Sequence, residues 1–348
     1  MADSRALSFA AWPLVSADLP GIGGRIKSRP GHFAVEEIPL YEAAGDGPHL
    51  YLTLRRSGLS TREVLEELAR RYQTPPSAIG YAGLKDKEAV TTQTFSLPTA
   101  MGEAAAREKS LGAPWELTAV GRHRNKLKVG HLLGNRFTIV LREPAGTLAE
   151  AGAIAGRLRE YGLPNYFGAQ RFGRDGDNAA AGLSLLKSGR PGRNWRDKFL
   201  LSALQSFIYN HYLALRIKGG LFLTVLDGDI CKKYATGGLF QSEEGAVESR
   251  RLLAGELTHT GPVFGAKMKE AGGPAAELEA RALRELDLTG RDLDRAGAGD
   301  RRANRLLIPD LAVGEDPEGL RFSFSLPKGA YATSVMREFI RGAVDIGD

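Results

Sequence analysis

Cysteine is nearly absent: among 348 residues only Cys231 carries a thiol. One thiol excludes an internal disulfide and any multi-cysteine metal cluster. The six histidines include no His-x-x-x-His pair, and none stands near Cys231 in sequence, so no zinc site is expected. No apolar run reaches the length of a membrane span, and the N-terminus has no basic-then-apolar leader. A cytoplasmic setting without a membrane partner is therefore expected. Glycine is plentiful, but no Gly-x-Gly-x-x-Gly follows a strand, and there is neither a Walker A pattern nor a Gly-x-Ser-x-Gly elbow. The short Asp-Gly pairs at Asp175/Asp177 and Asp227/Asp229 suit turn capping better than a metal. Neither a cofactor nor a metal is expected. Repeats and low-complexity runs are absent as well.

What is present is an ordinary soluble composition, 43% hydrophobic and 25% charged. The length slightly exceeds what one core usually supports, so two lobes are expected. Net charge is +6 with a pI near 9.3. That surplus suits a polyanionic partner. Its distribution says more: from Arg122 to Arg142 there are six Lys or Arg and no Asp or Glu. Arg122, Arg124, Lys126 and Lys128 fall at every second position, which on a strand puts all four on one face. Such a row repels itself unless an anion faces it; a solvated sheet edge is the competing reading.

The most distinctive stretch is Gly80-Tyr81-Ala82-Gly83-Leu84-Lys85-Asp86-Lys87-Glu88-Ala89-Val90-Thr91-Thr92-Gln93. Its two glycines suit a tight backbone path. After them one carboxylate, Asp86, stands between Lys85 and Lys87, on a turn that opens into a Thr- and Val-rich strand. The flanking ammonium groups favour the charged form. A charged Asp on a loop between rigid elements suits a nucleophile or a base, and suits a general acid poorly. A solvated charged turn is the bland alternative.

Around this stretch the elements read as follows. Short strands are expected at Arg25–Lys27 and Phe33–Ile38. His49–Arg55 alternates as a half-buried strand with Leu50, Leu52 and Leu54 on one face. Ser60 and Glu63 form a capping box for a helix to about Tyr72, stopped by Pro75-Pro76. A short Ala-rich helix is expected in 98–114. Strands follow at Glu116–Gly121, Arg122–Val129 and Arg136–Leu141, then a helix at Leu148–Tyr161. A basic stretch with Lys187, Arg190, Arg193, Arg196 and Lys198 around Pro191 and Trp195 leads into a helix at about Asp197–Arg216. Leu221–Val225 reads as a strand, 232–274 shows few regular signals, and Pro274–Asp287 reads as a helix. Leu320–Leu326 alternates again, and a last helix begins at Tyr331. A late strand of this kind most easily completes a sheet begun early. The middle, 188–306, therefore reads as an insertion into one domain.

A second unusual stretch is Pro164-Asn165-Tyr166-Phe167-Gly168-Ala169-Gln170-Arg171-Phe172-Gly173. Aromatics on a glycine-bounded loop can stack a nucleobase, and an Asn or Gln can read its edge. A packed turn with buried Phe is the plainer reading.

Together, Gly83-Leu84-Lys85-Asp86-Lys87 with Ala89-Val90-Thr91, the Asn165–Gly173 run and Ala332-Thr333-Ser334-Val335-x-Arg337-Glu338 resemble the TruD family of tRNA pseudouridine synthases. The matches run in chain order from about Lys27 to Ile340. The family position before Lys-Asp is often Gln; here it is Leu84. The resemblance implies an α+β fold, with a mixed-sheet catalytic domain flanked by helices at 1–187 and 307–348. It implies a smaller inserted α+β domain at 188–306, and a basic cleft for RNA. It also implies isomerisation of uridine 13 of tRNA to pseudouridine with no cofactor and no metal. The family's catalytic aspartate falls on Asp86 and its active-site lysine on Lys27. Its aromatic residue against the target base falls on Phe167, beside Asn165, and a pocket aromatic falls on Tyr331. Candidate RNA contacts are Arg122, Arg124, Lys126, Lys128, Lys85, Lys87 and Arg171. The expected partner is tRNA, and a monomer is expected because no long apolar face is left unexplained. Two alternatives stay open: a non-catalytic RNA-binding or tRNA-chaperone protein, and the same reaction on another RNA.

Overall fold

The structure, a computed structural model, describes residues 12–173, 175–189 and 194–341. Arg190, Pro191 and Arg193 of the basic stretch lie outside the described residues. The strands of the first half are β1 (Phe33–Pro39), β2 (His49–Arg56), β3 (Gly80–Tyr81), β4 (Val90–Pro98), β5 (Glu116–His123), β6 (Leu132–Arg142) and β7 (Leu163–Pro164). Those of the second half are β8 (Ile230–Lys233), β9 (Leu239–Gln241), β10 (Leu257–Val263), β11 (Asp300–Ala303), β12 (Arg305–Leu306), β13 (Ala312–Asp316) and β14 (Gly319–Pro327). The helices are α1 (Thr61–Tyr72), α2 (Glu103–Lys109), α3 (Leu148–Tyr161), α4 (Asn178–Lys187), α5 (Trp195–Lys218), α6 (Gly245–Leu253), α7 (Gly273–Arg284), α8 (Gly290–Leu293) and α9 (Ala332–Ile340).

Two compact units result. The sheet unit comprises 22–151 and 310–329, and the helical unit comprises 12–21, 152–309 and 330–341 of the described residues. The sheet unit has an eight-stranded sheet in the order β13-β14-β6-β1-β4-β2-β5, with β3 on β4. Only β1 and β4 run parallel, so the sheet is mixed. As expected, the late strand β14 completes the early sheet by pairing with β6. The units do not follow the 187/188 boundary read from the sequence. Residues 152–187 belong with the segment after them, because α4 packs on α5: the α-carbon-only face of Gly182 meets Leu200 and Leu204.

The leucine face of β2 is fully buried against Val64, Leu68 and Tyr72 of α1 and against Phe95, Leu97 and Trp115. The Ser60–Glu63 capping box forms, and Gln73 ends the helix in a left-handed turn. Tyr51, on the opposite face of β2, is buried too, under Ala82, Leu127 and Leu132.

Several expected elements differ. Arg25 makes an isolated bridge to Arg142, and Lys27 lies at φ 59°, which no strand allows. The cationic strand at Arg122–Val129 ends at His123; beyond it the chain is irregular, anchored by buried Leu127, whose amide donates to Ser96 Oγ. Leu221–Val225 forms a turn. The stretch 232–274 is regular after all and includes β10. Its Thr258, His259 and Thr260 are fully buried polar residues whose hydrogen bonds are met internally, as with Thr260 Oγ1 on Ile230 O at 2.6 Å. Polar residues of that kind hide a strand from a pattern search. The same strand brings His259 opposite Cys231, yet both ring nitrogens are engaged, by Phe222 O and by the Asn304 amide. Among the described residues no group of His, Cys, Asp or Glu could hold a metal ion, and no helix is long and apolar enough to cross a membrane.

Candidate active site

In the sheet unit, topology assembles the first constellation. β1 and β4 are parallel neighbours with Ala34 opposite Val90. The segments that lead into them therefore arrive at the same sheet end. Lys27 precedes β1 and Asp86 precedes β4, and their side chains form an ion pair between Lys27 Nζ and Asp86 Oδ2. The lysine side chain is 4% exposed and the carboxylate 34%. Thus the cation is enclosed while the carboxylate keeps an open side. Lys27 also sits over the Phe33 ring, 4.7 Å from its centroid. Its left-handed backbone is uncommon for a side chain with a Cβ, and strain of this kind persists only where surroundings enforce it. The second carboxylate oxygen, Asp86 Oδ1, accepts the Glu88 amide at 3.1 Å.

The two flanking lysines do not hold Asp86. Lys85 Nζ lies 3.0 Å from Glu37 Oε2 and donates to Asn135 Oδ1 at 2.7 Å, with 5% of its side chain exposed. Lys87 reaches Glu63 at 3.0 Å. Sequence neighbours on this turn point away from each other, so the partner comes from Lys27, far back in the chain. The burial of Lys85 also removes it from the surface RNA contacts expected of it. Of the two glycines, Gly80 is required by close approach, because a Cβ there would lie 2.2 Å from Leu127 O; Gly83 meets nothing within 4 Å.

In the helical unit, the pairing of β7 with β12 brings Asn165 beside Arg302 to Asn304. The Asn165 amide is 6% exposed, and its Nδ2 donates to Ala303 O at 2.8 Å. Arg302 Nη2 donates to Asn165 Oδ1 at 2.6 Å, and Nε donates to Asn165 O at 3.0 Å. The same guanidinium lies 4.0 Å from the Phe167 ring centroid. Burial lowers the Arg302 pKa from its usual value. Phe167 meets Tyr209 and Tyr331 edge-on, at centroid distances of 5.4 and 6.4 Å. Gly168 lets Tyr331 approach, since a Cβ there would be 2.8 Å from that ring. Asn210 grips the backbone of Phe167 at both ends: its Oδ1 accepts the amide at 2.8 Å and its Nδ2 donates to the carbonyl at 3.0 Å.

Phe167, Asn165 and Tyr331 are thus brought together in one unit, and Lys27 and Asp86 in the other. Arg302, Tyr209, Asn210 and Phe33 were missed in the sequence. Arg302 falls between the expected helix at Pro274–Asp287 and the expected strand at Leu320–Leu326, where no element is expected, and Tyr209 and Asn210 fall inside the helix expected at about Asp197–Arg216.

The family model described as tRNA pseudouridine synthase D (TruD) matches residues 13–189 and 195–339. The chain belongs to this family. Among its relatives, tRNA pseudouridine synthase D of Thermus thermophilus is 46% identical over 331 residues, covering 95% of this chain and 92% of that one. The protein of the same name from Anaeromyxobacter dehalogenans is 45% identical over 345 residues, covering 96% and 98%. The crystal structure of a putative tRNA pseudouridine synthase D from Methanosarcina mazei superposes with a TM-score of 0.77 at 25% identity, covering 95% of this chain and 97% of that chain.

For a TruD-family chain the surface cations matter, and they divide unevenly. Arg122 is occupied by carbonyls: Nη1 donates to Gly47 O and Thr99 O, and Nη2 to Met101 O at 2.5 Å. Arg124 pairs with Asp46 at 2.9 Å in an exposed setting. Lys126 donates to Ser77 O at 2.7 Å. Lys128 is exposed. The four cations therefore do not form one row, because the strand that would align them is not there. Arg171 donates to Ser206 Oγ at 3.1 Å and to Ser202 Oγ, and it lies over Phe199.

Proposed function

We propose that this protein isomerises uridine to pseudouridine in tRNA, at position 13, with Asp86 as the catalytic residue. The observation that carries this reading is the Lys27–Asp86 pair, an enclosed ammonium beside a carboxylate that remains open on one side. Opposite charges about 4 Å apart attract by roughly 4 kcal/mol at an effective dielectric near 20, before desolvation is subtracted. That attraction holds the carboxylate beside the ammonium as water leaves the site.

The reaction breaks the N1–C1′ bond and forms a C5–C1′ bond; C5 then loses its proton and N1 gains one, so the atoms of the uridine are conserved. Asp86 enters it in one of two ways. As a nucleophile it attacks C1′ and displaces the uracil; as a base it removes the 2′ proton. In either case the detached uracil turns and rejoins through C5: in the first the new C5–C1′ bond displaces the Asp86 carboxylate from C1′, and in the second Asp86 returns the proton to C2′ as that bond forms. A stacked base cannot present both edges, so the uridine leaves the stack at a cost of a few kcal/mol. Aromatic stacking returns roughly 1–3 kcal/mol per base. Phe167 and Tyr331, set by Arg302 and Asn210, supply such faces. Phosphate contacts from exposed cations such as Lys128 carry much of the remaining affinity.

The decisive experiment is site-resolved pseudouridine mapping of total RNA, tRNA included, incubated with the wild-type protein and with Asp86→Asn. The expected result is pseudouridine at position 13 with the wild type alone. Modification in another RNA but not in tRNA would reject the substrate, and equal modification by Asp86→Asn would reject the catalytic residue.

A further inference from the structure

The loop that presents Asp86 is held by three side chains that belong to neighbouring elements and touch none of the reacting groups. Gln93, in β4, donates from Nε2 to Gly83 O at 2.5 Å. Thr61, the first residue of α1, accepts the Lys85 backbone N–H on Oγ1 at 3.0 Å. The two holders are joined, because the Thr61 hydroxyl donates to Gln93 Oε1 at 3.2 Å. Arg56, at the end of β2, donates from Nη2 to Thr61 Oγ1 at 3.1 Å and to Gln93 Oε1 at 3.0 Å, and from Nε to Leu59 O at 3.2 Å.

These side chains are 3%, 1% and 0% exposed for Arg56, Thr61 and Gln93. The valences close. A hydroxyl has one donor and two acceptor sites, and that of Thr61 donates to Gln93 while accepting from Lys85 and Arg56. An amide oxygen has two acceptor sites, and that of Gln93 accepts from Arg56 and Thr61. Rotating Thr61 or Gln93 would leave further buried polar atoms unmet, which favours the arrangement seen. The network ends on the backbone on both sides of Leu84, a residue 77% exposed that contributes no packing of its own to fix the turn.

We infer that Arg56, Thr61 and Gln93 are positioning residues that fix the backbone at Gly83 and Lys85, and through it the place of the Asp86 carboxylate against Lys27. The inference rests on the proposed role of Asp86. An ion pair alone sets a distance between charges; it does not set the direction in which the open side of the carboxylate faces. The buried network supplies that direction by pinning the peptide groups just before Asp86. Displacement of a reacting group by about 1 Å can cost on the order of 100-fold in rate.

Thr61→Val removes the acceptor for Lys85 N–H at nearly constant shape, and Gln93→Leu removes the donor to Gly83 O. Single-turnover pseudouridine formation on tRNA is measured for each, together with tRNA affinity, well below the melting temperature of each variant. Each variant is expected to lower the rate about 10- to 100-fold while leaving the tRNA Kd within about twofold, because phosphate contacts dominate affinity. Thr61→Ser keeps the hydroxyl and is expected to recover the rate to within about threefold. If Thr61→Val fails to fold, Gln93→Leu and Gln93→Glu, neither of which can donate to Gly83 O from a side-chain amide, carry the rate loss and Thr61→Ser carries the retained rate. Wild-type rates in Thr61→Val and Gln93→Leu would overturn the inference, as would a Thr61→Ser variant as slow as Thr61→Val. A rate loss matched by an equal loss of tRNA affinity would overturn it too. A wild-type protein that forms no pseudouridine in tRNA would instead reject the function itself, and is told apart from these outcomes by the wild-type arm alone.

Discussion

Two loops present the groups on which the proposed function depends, and they are held in the same manner for different ends. In the sheet unit a primary amide, Gln93, grips the backbone of the Asp86 loop, backed by Arg56. In the helical unit a primary amide, Asn210, grips the backbone of Phe167, and Arg302 lies on the Phe167 ring and bonds Asn165. The first loop delivers a charge, with its counter-cation enclosed and its open side wet. The second delivers ring faces, with Asn165, Arg302 and Asn210 bonded to protein partners beside them. Loops carry function when a rigid frame positions them. Here the frame in both cases is an amide that can donate and accept at once, placed on a strand in one unit and on a helix in the other.

Replacing the charge should produce the largest effect. Asp86→Asn keeps size and most hydrogen bonding but cannot act as a nucleophile or a base. Turnover is expected to fall at least about 100-fold, the lower bound for an acid–base group, with tRNA affinity retained. Gel-shift and single-turnover assays on the same preparation check this. Retained turnover would place the chemistry elsewhere and leave the first loop no different in role from the second.

What the loops present was legible in the sequence, and what holds them was not. Asp86 and Phe167 stand in local motifs with unusual composition, so a linear reading finds them. Lys27 entered only through family resemblance, because its place beside Asp86 depends on β1 and β4 being parallel neighbours. Gln93 and Asn210 look like ordinary members of a strand and a helix; their function depends on which way one side chain points in three dimensions. The cationic alternation at 122–128 misled in the opposite sense. It has the period of a strand, but buried Leu127 and its amide bond to Ser96 Oγ set an irregular path instead. Periodicity reports a face only where a regular element exists to carry it.

The second loop should respond next. Phe167→Ala removes a stacking face worth roughly 1–3 kcal/mol per base, about 5- to 150-fold if realised at the reacting step. The expected loss is in kcat, with tRNA affinity reduced less, because phosphates dominate affinity. An equal or larger loss in affinity would make Phe167 a general binding residue. Asn210→Leu tests the grip itself. It strands the Phe167 N–H and C=O, each costing about 1–3 kcal/mol when buried and unmet. A melting temperature lowered by several degrees together with slower turnover is expected. An unchanged melting temperature with unchanged turnover would mean that this loop, unlike the Asp86 loop, holds its shape without the amide.

The smallest effects should come from the surface cations, and they sharpen the comparison by separating presented charge from tethered charge. Lys128 is exposed, whereas Arg122 is held by the carbonyls of Gly47, Thr99 and Met101. Only a cation that faces phosphate releases counterions when RNA binds. Lys128→Glu is therefore expected to reduce the slope of log K against log salt for tRNA by about 0.7 to 1, one phosphate contact's worth. Arg122→Met is expected to leave the slope alone and to lower stability instead, since three carbonyls lose their donor. The slope is read from tRNA affinities over a salt series, and the stability from melting curves. A slope that changes with Arg122 and not with Lys128 would reverse the assignment, and would mean that the guanidinium leaves its carbonyls when RNA arrives.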